Sequence, residues 1–271
     1  MTASKRGSTR PDIATIAGIV LAVGGIVGGL LLEKGNIKDI AQYTAALIVG
    51  AGTAGAVLVA CSMKSVMTAL AQLKDVFFEH VLDPAPLIEE IIVYATKARK
   101  QGIVSLEQEA SQITDPFLRK AVNLAVDGTD LDELKAMMEL EIEQAEHHAE
   151  EAAKVFESGG GYAPTIGIIG AVLGLIQVMK NLANIAEVGH GIAVAFVATV
   201  YGVALANIFL LPAANKIRAR AAVESRSREL ALEGVIGIVE GMNPKLIRSK
   251  LEAYLSESKA ASSESRQKAA A

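Results

Sequence analysis

The chain has 271 residues, 51% of them apolar and 24 of them glycine, with 4% aromatic residues and no Trp. Mean hydropathy is +0.37, which excludes a disordered chain, a collagen and a disulfide scaffold, and the single Cys61 permits no internal disulfide and says nothing of redox compartment. The net charge is −4, with no Lys/Arg cluster interleaved with aromatics; this argues against nucleic-acid binding and leaves an integral membrane protein with a sizeable polar part.

Four apolar stretches approach the ~20 residues a helix needs to cross the hydrocarbon core. Ile13–Leu32 is free of charge over 20 residues. Lys5, Arg6 and Arg10 precede it, as in a signal peptide, but the run exceeds a typical h-region and no A-x-A site follows, so it reads as a retained helix. Ile40–Met63 is the second span and should continue as a helix through Lys64–His80, until Asp83-Pro84-Ala85-Pro86 breaks it. Leu87, Ile88, Ile91, Ile92 and Ala95 then recur at helical spacing. Ser105-x-x-Gln108 and Asp130-x-x-Glu133 have the form of capping boxes. Asp130–Glu157 reads as one long acidic helix with Leu131, Leu134, Met138, Ile142, Ala145, Ala149, Ala152 and Val155 as its stripe. Gly159-Gly160-Gly161 should end it, and Pro164 should open span 3 from the N1 position. Span 3 runs from Pro164 to Met179, with Lys180 snorkelling and an apolar run to Ala186; a buried soluble helix is the alternative. Gly191–Ala214 is span 4. Lys216–Gly241 and Pro244–Ser256 read as two further helices, and the Ser/Ala/Lys-rich segment 257–271 as disordered. The expected fold is therefore all-α, with membrane helices in 13–63 and 164–214, a helical domain in 64–163, C-terminal helices in 215–256, and a 12-residue N-terminal segment.

Charge gives orientation. Lys5, Arg6, Arg10, Lys64, Lys74, Lys216, Arg218, Arg220, Arg226 and Arg228 flank one side, against Lys34, Lys38 and Lys180 on the other. That asymmetry puts both termini and the large loop in the cytoplasm. Residues 64–163 carry 19 acidic and 9 basic side chains, whereas 215–271 carry 7 acidic and 11 basic. Opposite signs suggest that the two pieces fold on each other; the alternative is that both are merely solvated. Gly24-x-x-x-Gly28, Gly25-x-x-x-Gly29 and Gly167, Gly170 and Gly174 would let helices approach closely, favouring an assembled bundle.

The chain has no GxGxxG, P-loop, HExxH, GxSxG or CxxC, so no enzyme signature is present. Glu143, His147 and Glu151 share a helical face beside His148, but a solvated acidic helix accounts for them without a metal. None of the spans contains Asp or Glu; Glu33, Asp39 and Glu187 lie at their outer ends. An intramembrane carboxylate is the usual mark of an ion relay. Either the chain is not a transporter, or a partner supplies that group. The polar span residues are Gln42, Tyr43, Thr44, Thr53, Ser62, Thr165, Gln177, Thr199, Tyr201 and Asn207. Pro164 and Pro212 lie at the inner ends of spans 3 and 4, either framing a flexible joint or simply terminating helices.

Residues 163–176 (APTIGIIGAVLGLI) resemble the third span of the MotA family of flagellar stator subunits, and residues 195–207 (AFVATVYGVALAN) its fourth. Arg99-x-x-Gly102-x-x-x-Leu106-Glu107 resembles the family's cytoplasmic charged motif, and Glu233–Ile238 with Asn243-Pro244 its C-terminal helices. The likeness runs from Pro11 to Leu255. The related TolQ and ExbB proteins have three spans. The resemblance implies a pentameric ring around a dimer of MotB, a single-span peptidoglycan-binding partner that brings the membrane aspartate. Ion flow would then turn the ring against the rotor protein FliG, without any cofactor. By position, Arg99 and Glu107 match rotor-contacting charges, and Pro164 and Pro212 match coupling prolines. Thr199 matches a hydroxyl of the ion path, with Ala171 and Tyr201 placed beside it. Ala171 stands where sodium-driven members carry Thr, which implies a proton-driven stator. A sodium-driven stator, a TolQ/ExbB-like energiser of an envelope partner and a membrane scaffold without ion flux are the alternatives.

Overall fold

In the computed structural model, residues 9–80 and 84–253 are described. The positions of Lys5, Arg6 and Asp83, the end of the 244–256 helix and the segment 257–271 lie outside them. The chain forms two units. One, the span unit, contains Thr9–Glu79 and His148–Arg220; the other, the helical unit, contains His80–His147 and the residues after Arg220.

The span unit opens with β1 (Thr9–Pro11), which pairs with β2 (Phe78–His80) in a two-stranded ladder that the helical periodicity did not announce. Between them run α1 (Ile13–Leu32), α2 (Ile37–Ile40), α3 (Tyr43–Ala60) and α4 (Met63–Phe77). α1 has the expected bounds, with Asp12 as its cap: a carboxylate oxygen accepts the Thr15 amide at 3.0 Å. Lys34, at φ 62°, turns the chain into α2, where Asn36 and Asp39 form a reciprocal capping box. Span 2 is shorter than the apolar run. Ile40 belongs to α2, Cys61 and Ser62 are extended, and the Ser62 hydroxyl accepts the Ser65 amide at 3.1 Å to start α4 as a separate helix. The continuous helix expected through Lys64–His80 is thus interrupted at Ser62 and ends at Phe77.

The largest departure is α8 (Leu131–Lys180), one helix of 50 residues that contributes to both units. Asp130 accepts the Asp132 amide at its start. Gly159-Gly160-Gly161 does not end it, and Pro164 lies inside it rather than at N1. The glycines serve close packing instead. A Cβ at Gly160 would meet the Leu211 side chain at 2.5 Å, and one at Gly159 would touch Leu210 and Val57. The turn after Lys180 is closed by Asn184, which accepts the Ala186 amide at 3.2 Å, so the apolar residues before Ala186 belong partly to the next helix. That helix, α9 (Ile185–Ala204), passes through a π-helical segment, Leu205–Leu210, into α10 (Leu211–Val239) without a break at Ala214. α1, α3, α8 and the helix starting at Ile185 are long and apolar enough to cross a membrane.

Within the span unit, α8 and α9 meet backbone to backbone. A Cβ at Gly167 would lie 2.8 Å from the Ala198 carbonyl oxygen, at Gly174 2.8 Å from that of Gly191, and at Gly202 2.5 Å from that of Ala163. By contrast, Gly24, Gly25, Gly28 and Gly29 on α1 face open space, and no α1 residue is buried.

The helical unit contains α5 (Pro84–Gln101), a 3₁₀ turn (Ile103–Leu106), α6 (Glu107–Ala110), α7 (Pro116–Val126), the start of α8, the end of α10 and α11 (244–253). Pro84 and Pro86 fall in the first turn of α5, where a missing N–H costs little. Ser105 does not cap; its hydroxyl donates to the Gly102 carbonyl at 2.6 Å, and Leu106 precedes α6 without a side-chain bond. Leu87, Ile88, Ile91 and Ala95 are buried as their spacing predicts, with Leu118, Met138, Leu230, Ile247 and Leu251. The acidic and basic pieces do fold on each other here. Arg248 of α11 forks onto Glu89 of α5 at 2.5 and 2.7 Å, and Arg228 stands 5.9 Å over the Phe117 ring.

These contacts separate the two glycine sets. Gly202→Val should destabilise the chain in detergent by about 2 kcal/mol, since its side chain meets backbone. Gly24→Ala meets no neighbour and should not destabilise the chain, adding at most about 1 kcal/mol through helix propensity. Unfolding titrations of both variants measure the contrast.

Candidate ion-path and coupling residues

Thr199 is half-buried on α9 and donates its hydroxyl to the Ala195 carbonyl at 3.3 Å. This back-bond satisfies the hydroxyl hydrogen inside an apolar helix and leaves the oxygen's remaining acceptor capacity. Its Cα lies 3.4 Å from where a Gly167 Cβ would stand, so the missing side chain on α8 brings the Thr199 backbone against the facing span. Ala171 lies one turn further along α8, half-buried. Tyr201 points its hydroxyl elsewhere: it donates to the Ile40 carbonyl and accepts the Gln42 amide at 3.4 Å, closing the α2–α3 corner.

The two prolines come to one level. Gly160, whose carbonyl a helical N–H at position 164 would have met, is the residue held against Leu211, which immediately precedes Pro212. Just before Pro212, the Leu211 amide donates to the Ala206 carbonyl five residues back. A proline ring clashes with the carbonyl four residues earlier in an α-helix; the wider π turn relieves that crowding. The Asn207 side-chain Nδ2 donates to the Val203 carbonyl at 2.9 Å.

Arg99 closes the last turn of α5 and Glu107 opens α6, so they stand on different helices, both exposed. Among the described residues neither takes part in an ion pair. The residues two positions inward do: Lys97 and Glu109 approach to 2.5 Å across the Gly102 turn, where φ is +84°. The Lys97 hydrogen bond holds the Glu109 carboxyl below its ordinary range. This pair, missed from sequence, fixes the corner that presents Arg99 and Glu107.

A second charged cluster also escaped the sequence reading. Asp12, 5% exposed, contacts Lys216 at 2.5 Å and Arg220 at 2.7 Å, while its own amide donates to the Phe77 carbonyl at 2.8 Å. Arg220 also donates to the Phe78 carbonyl. Burial alone would raise the Asp12 pKa, but hydrogen bonds from Lys216, the Thr15 amide and Arg220 outweigh it and hold the carboxyl well below the ordinary range. A cap at Asp12 could have been read from an Asp just before an apolar run; its partners some 200 residues away left no local signal. Arg218 anchors α10 to α8 through Glu150, at 2.8 and 2.9 Å, and Glu157, at 2.5 Å. His148 lies 3.7 Å from Glu151 of its own helix. Among the described residues no three His, Cys, Asp or Glu side chains gather as a metal site.

Residues 109–230 match the MotA/TolQ/ExbB proton channel family, and residues 16–102 match the motility protein A N-terminal family. The chain belongs to the MotA/TolQ/ExbB proton channel family. It is 35% identical to motility protein A of Helicobacter pylori, over 90% of this chain and 95% of that one. Its fold is similar to that of C. jejuni MotAB, with TM-score 0.86, 34% identity, and coverage of 90% of this chain and 95% of that one. It is likewise similar to the flagellar MotAB stator complex from Bacillus subtilis, with TM-score 0.83, 34% identity, and coverage of 89% and 95%. With its four apolar helices, this is a multi-pass inner-membrane protein.

Asp12→Asn leaves two cations without their carboxylate and should cost about 3 kcal/mol at neutral pH. Because the folded-state pKa is depressed, the carboxylate's contribution is complete above about pH 4. It fades as pH falls toward the lower folded-state value. Unfolding midpoints of wild type and D12N measured down the acid range should therefore converge.

Proposed function

We propose that this chain is the ring-forming subunit of a flagellar stator, in which ion flow through a complex with a MotB-type partner is converted into torque. The observation that carries this reading is a family ion-channel protein whose spans contain no Asp or Glu. An ion relay through hydrocarbon needs an ionisable group, so a second subunit must bring it. The similar Bacillus subtilis structure is a MotAB complex, which supports a MotB-type single-span, peptidoglycan-anchored subunit as the donor. The four spans favour this reading over a TolQ/ExbB-like energiser. The chain carries out no bond-breaking chemistry itself; it positions an ion path and moves.

In this reading the apolar helices within residues 13–63 and 164–214 cross the bilayer, with Glu33, Asp39 and Glu187 at their outer ends. Residues 64–163 and 215–256, with both termini, lie in the cytoplasm. Several copies, five by family resemblance, surround the partner. Thr199 and Ala171 border the path, Tyr201 holds the neighbouring corner, and Pro164 and Pro212 form the joint through which passage of an ion alters the helices. Arg99 and Glu107 meet charges on FliG. Each ion contributes about 2.3 kcal/mol per 100 mV, enough to drive a conformational step.

The ion is the proton. A sodium site must replace a hydration shell with several oxygens. Thr199 offers one hydroxyl, while Ala171 offers a methyl group. Complementation of a stator-deletion strain tests the function, and swimming should be restored only when the partner gene is present. Speed should stay constant when external sodium is replaced by potassium at fixed pH, and should collapse with a protonophore. Speed that follows sodium and survives the protonophore reverses the ion assignment.

An exposed ion pair is worth under about 1 kcal/mol, so a purely structural role for Arg99 and Glu107 is small. The Arg99→Glu, Glu107→Lys double variant should insert and assemble normally yet lose most swimming torque, as tethered-cell rotation under load would show. Normal rotation would remove the rotor contact from these residues.

A further inference from the structure

The span unit carries a half-open, mostly apolar pocket of about 560 Å³ that Thr199 and Ala171 do not line, although Pro212 does. Its walls come from Ala14, Gly18 and Ala22 on α1, Phe77 at the end of α4, and Ile208 in the π segment. Among the described residues that line it, Lys216 alone is charged. The volume lies within the range of ligand pockets, which combine apolar walls with a few placed polar groups. Thr15, Asn207 and Lys216 are its polar lining side chains, so water finds few hydrogen-bond partners along most of its length, and empty walls forfeit dispersion contacts.

Depth and charge identify the occupant. From Ala14 to Ala22 the cavity follows α1 for eight residues, about 12 Å at 1.5 Å per residue. One leaflet of the hydrocarbon core is about 15 Å thick, so the cavity has the reach of one acyl chain lying along the span. At its end, Lys216 and Arg220 bring two positive charges against the single carboxylate of Asp12. Lys216 remains one-third exposed while holding Asp12, and an ammonium has three donors to share. We propose that this cavity holds an acyl chain of an anionic phospholipid whose phosphate meets Lys216.

The test uses the full-length chain with its partner subunit, exchanged into phosphatidylglycerol or phosphatidylcholine and examined by native mass spectrometry. One phosphatidylglycerol should remain per chain after delipidation, with about tenfold preference over phosphatidylcholine. Gly18→Leu directs its side chain into open space, since nothing lies within 4 Å of a Cβ there. It should expel the retained lipid without altering oligomeric state or unfolding temperature. Lys216→Gln should abolish the headgroup preference, and Lys216→Arg should restore it. Equal retention of the two lipids by the wild type, or full retention by Gly18→Leu, overturns the proposal. So does a lipid-free complex in which Gly18→Cys crosslinks to a second copy, since the cavity would then be a protein contact.

Discussion

Where α8 and α9 cross, Gly167, Gly174 and Gly202 each stand where a Cβ would overlap a carbonyl oxygen of the other helix. In hydrocarbon there is no hydrophobic gain from bringing two apolar helices together, so close van der Waals contact must supply the attraction. Side chains at those three positions would force the helices apart and forfeit it. The same approach sets the level of everything functional on the pair. It places Thr199 against Gly167, and it brings the turn before Pro164 against the turn before Pro212. Thr199 and the two prolines are therefore registered by what is missing from the helices, and the polar groups only refine the placement.

Charges are confined to the ends of this apolar framework, and there they act as fasteners. Asp12 ties the start of α1 to α10 and to the end of α4, Arg218 ties α10 to α8, and the Tyr201 hydroxyl closes the α2–α3 corner. Each joins segments far apart in sequence. A carboxylate buried to the degree of Asp12 is tolerable only with cations and an amide aimed at it. In the helical unit a similar economy operates: the inward Lys97–Glu109 pair is consumed in shaping a turn, and the outward Arg99 and Glu107 remain available. On the proposed reading this division matters, because a charge already satisfied within its own chain has little left to offer a rotor.

Span positions and the core-facing stripes were legible because both depend on local periodicity. Ile13–Leu32 was read to the residue, and Leu134, Met138, Ala149 and Ala152 are buried as spaced. The roles proposed for Thr199, Pro164 and Pro212 rest on likeness to a family, since nothing in a lone Thr or Pro states its role. Three features misled. Gly159-Gly160-Gly161 looks like a break, yet tertiary contact with Leu210 and Leu211 overrides the low helix propensity of glycine. Pro164 looks like a helix start, yet the existing helix passes through it. Ser62 lay hidden in an apolar run, although a serine cap there restarts the helix. The cap at Asp12 was open to a local reading, but its partners were not, because pairing between positions 12, 216 and 220 has no sequence period.

The π segment Leu205–Leu210 carries one residue more than an α-helix of the same span would hold. The extra residue is absorbed within the segment, so the helices before and after it keep nearly the phase they would have without it. Loss of one residue there would return the segment to α geometry and leave Thr199 and Lys216 on nearly their present faces, whereas loss of one residue from the regular helix on either side would swing those faces by about 100° relative to each other. Chain length is thus forgiving inside the π segment and strict beside it.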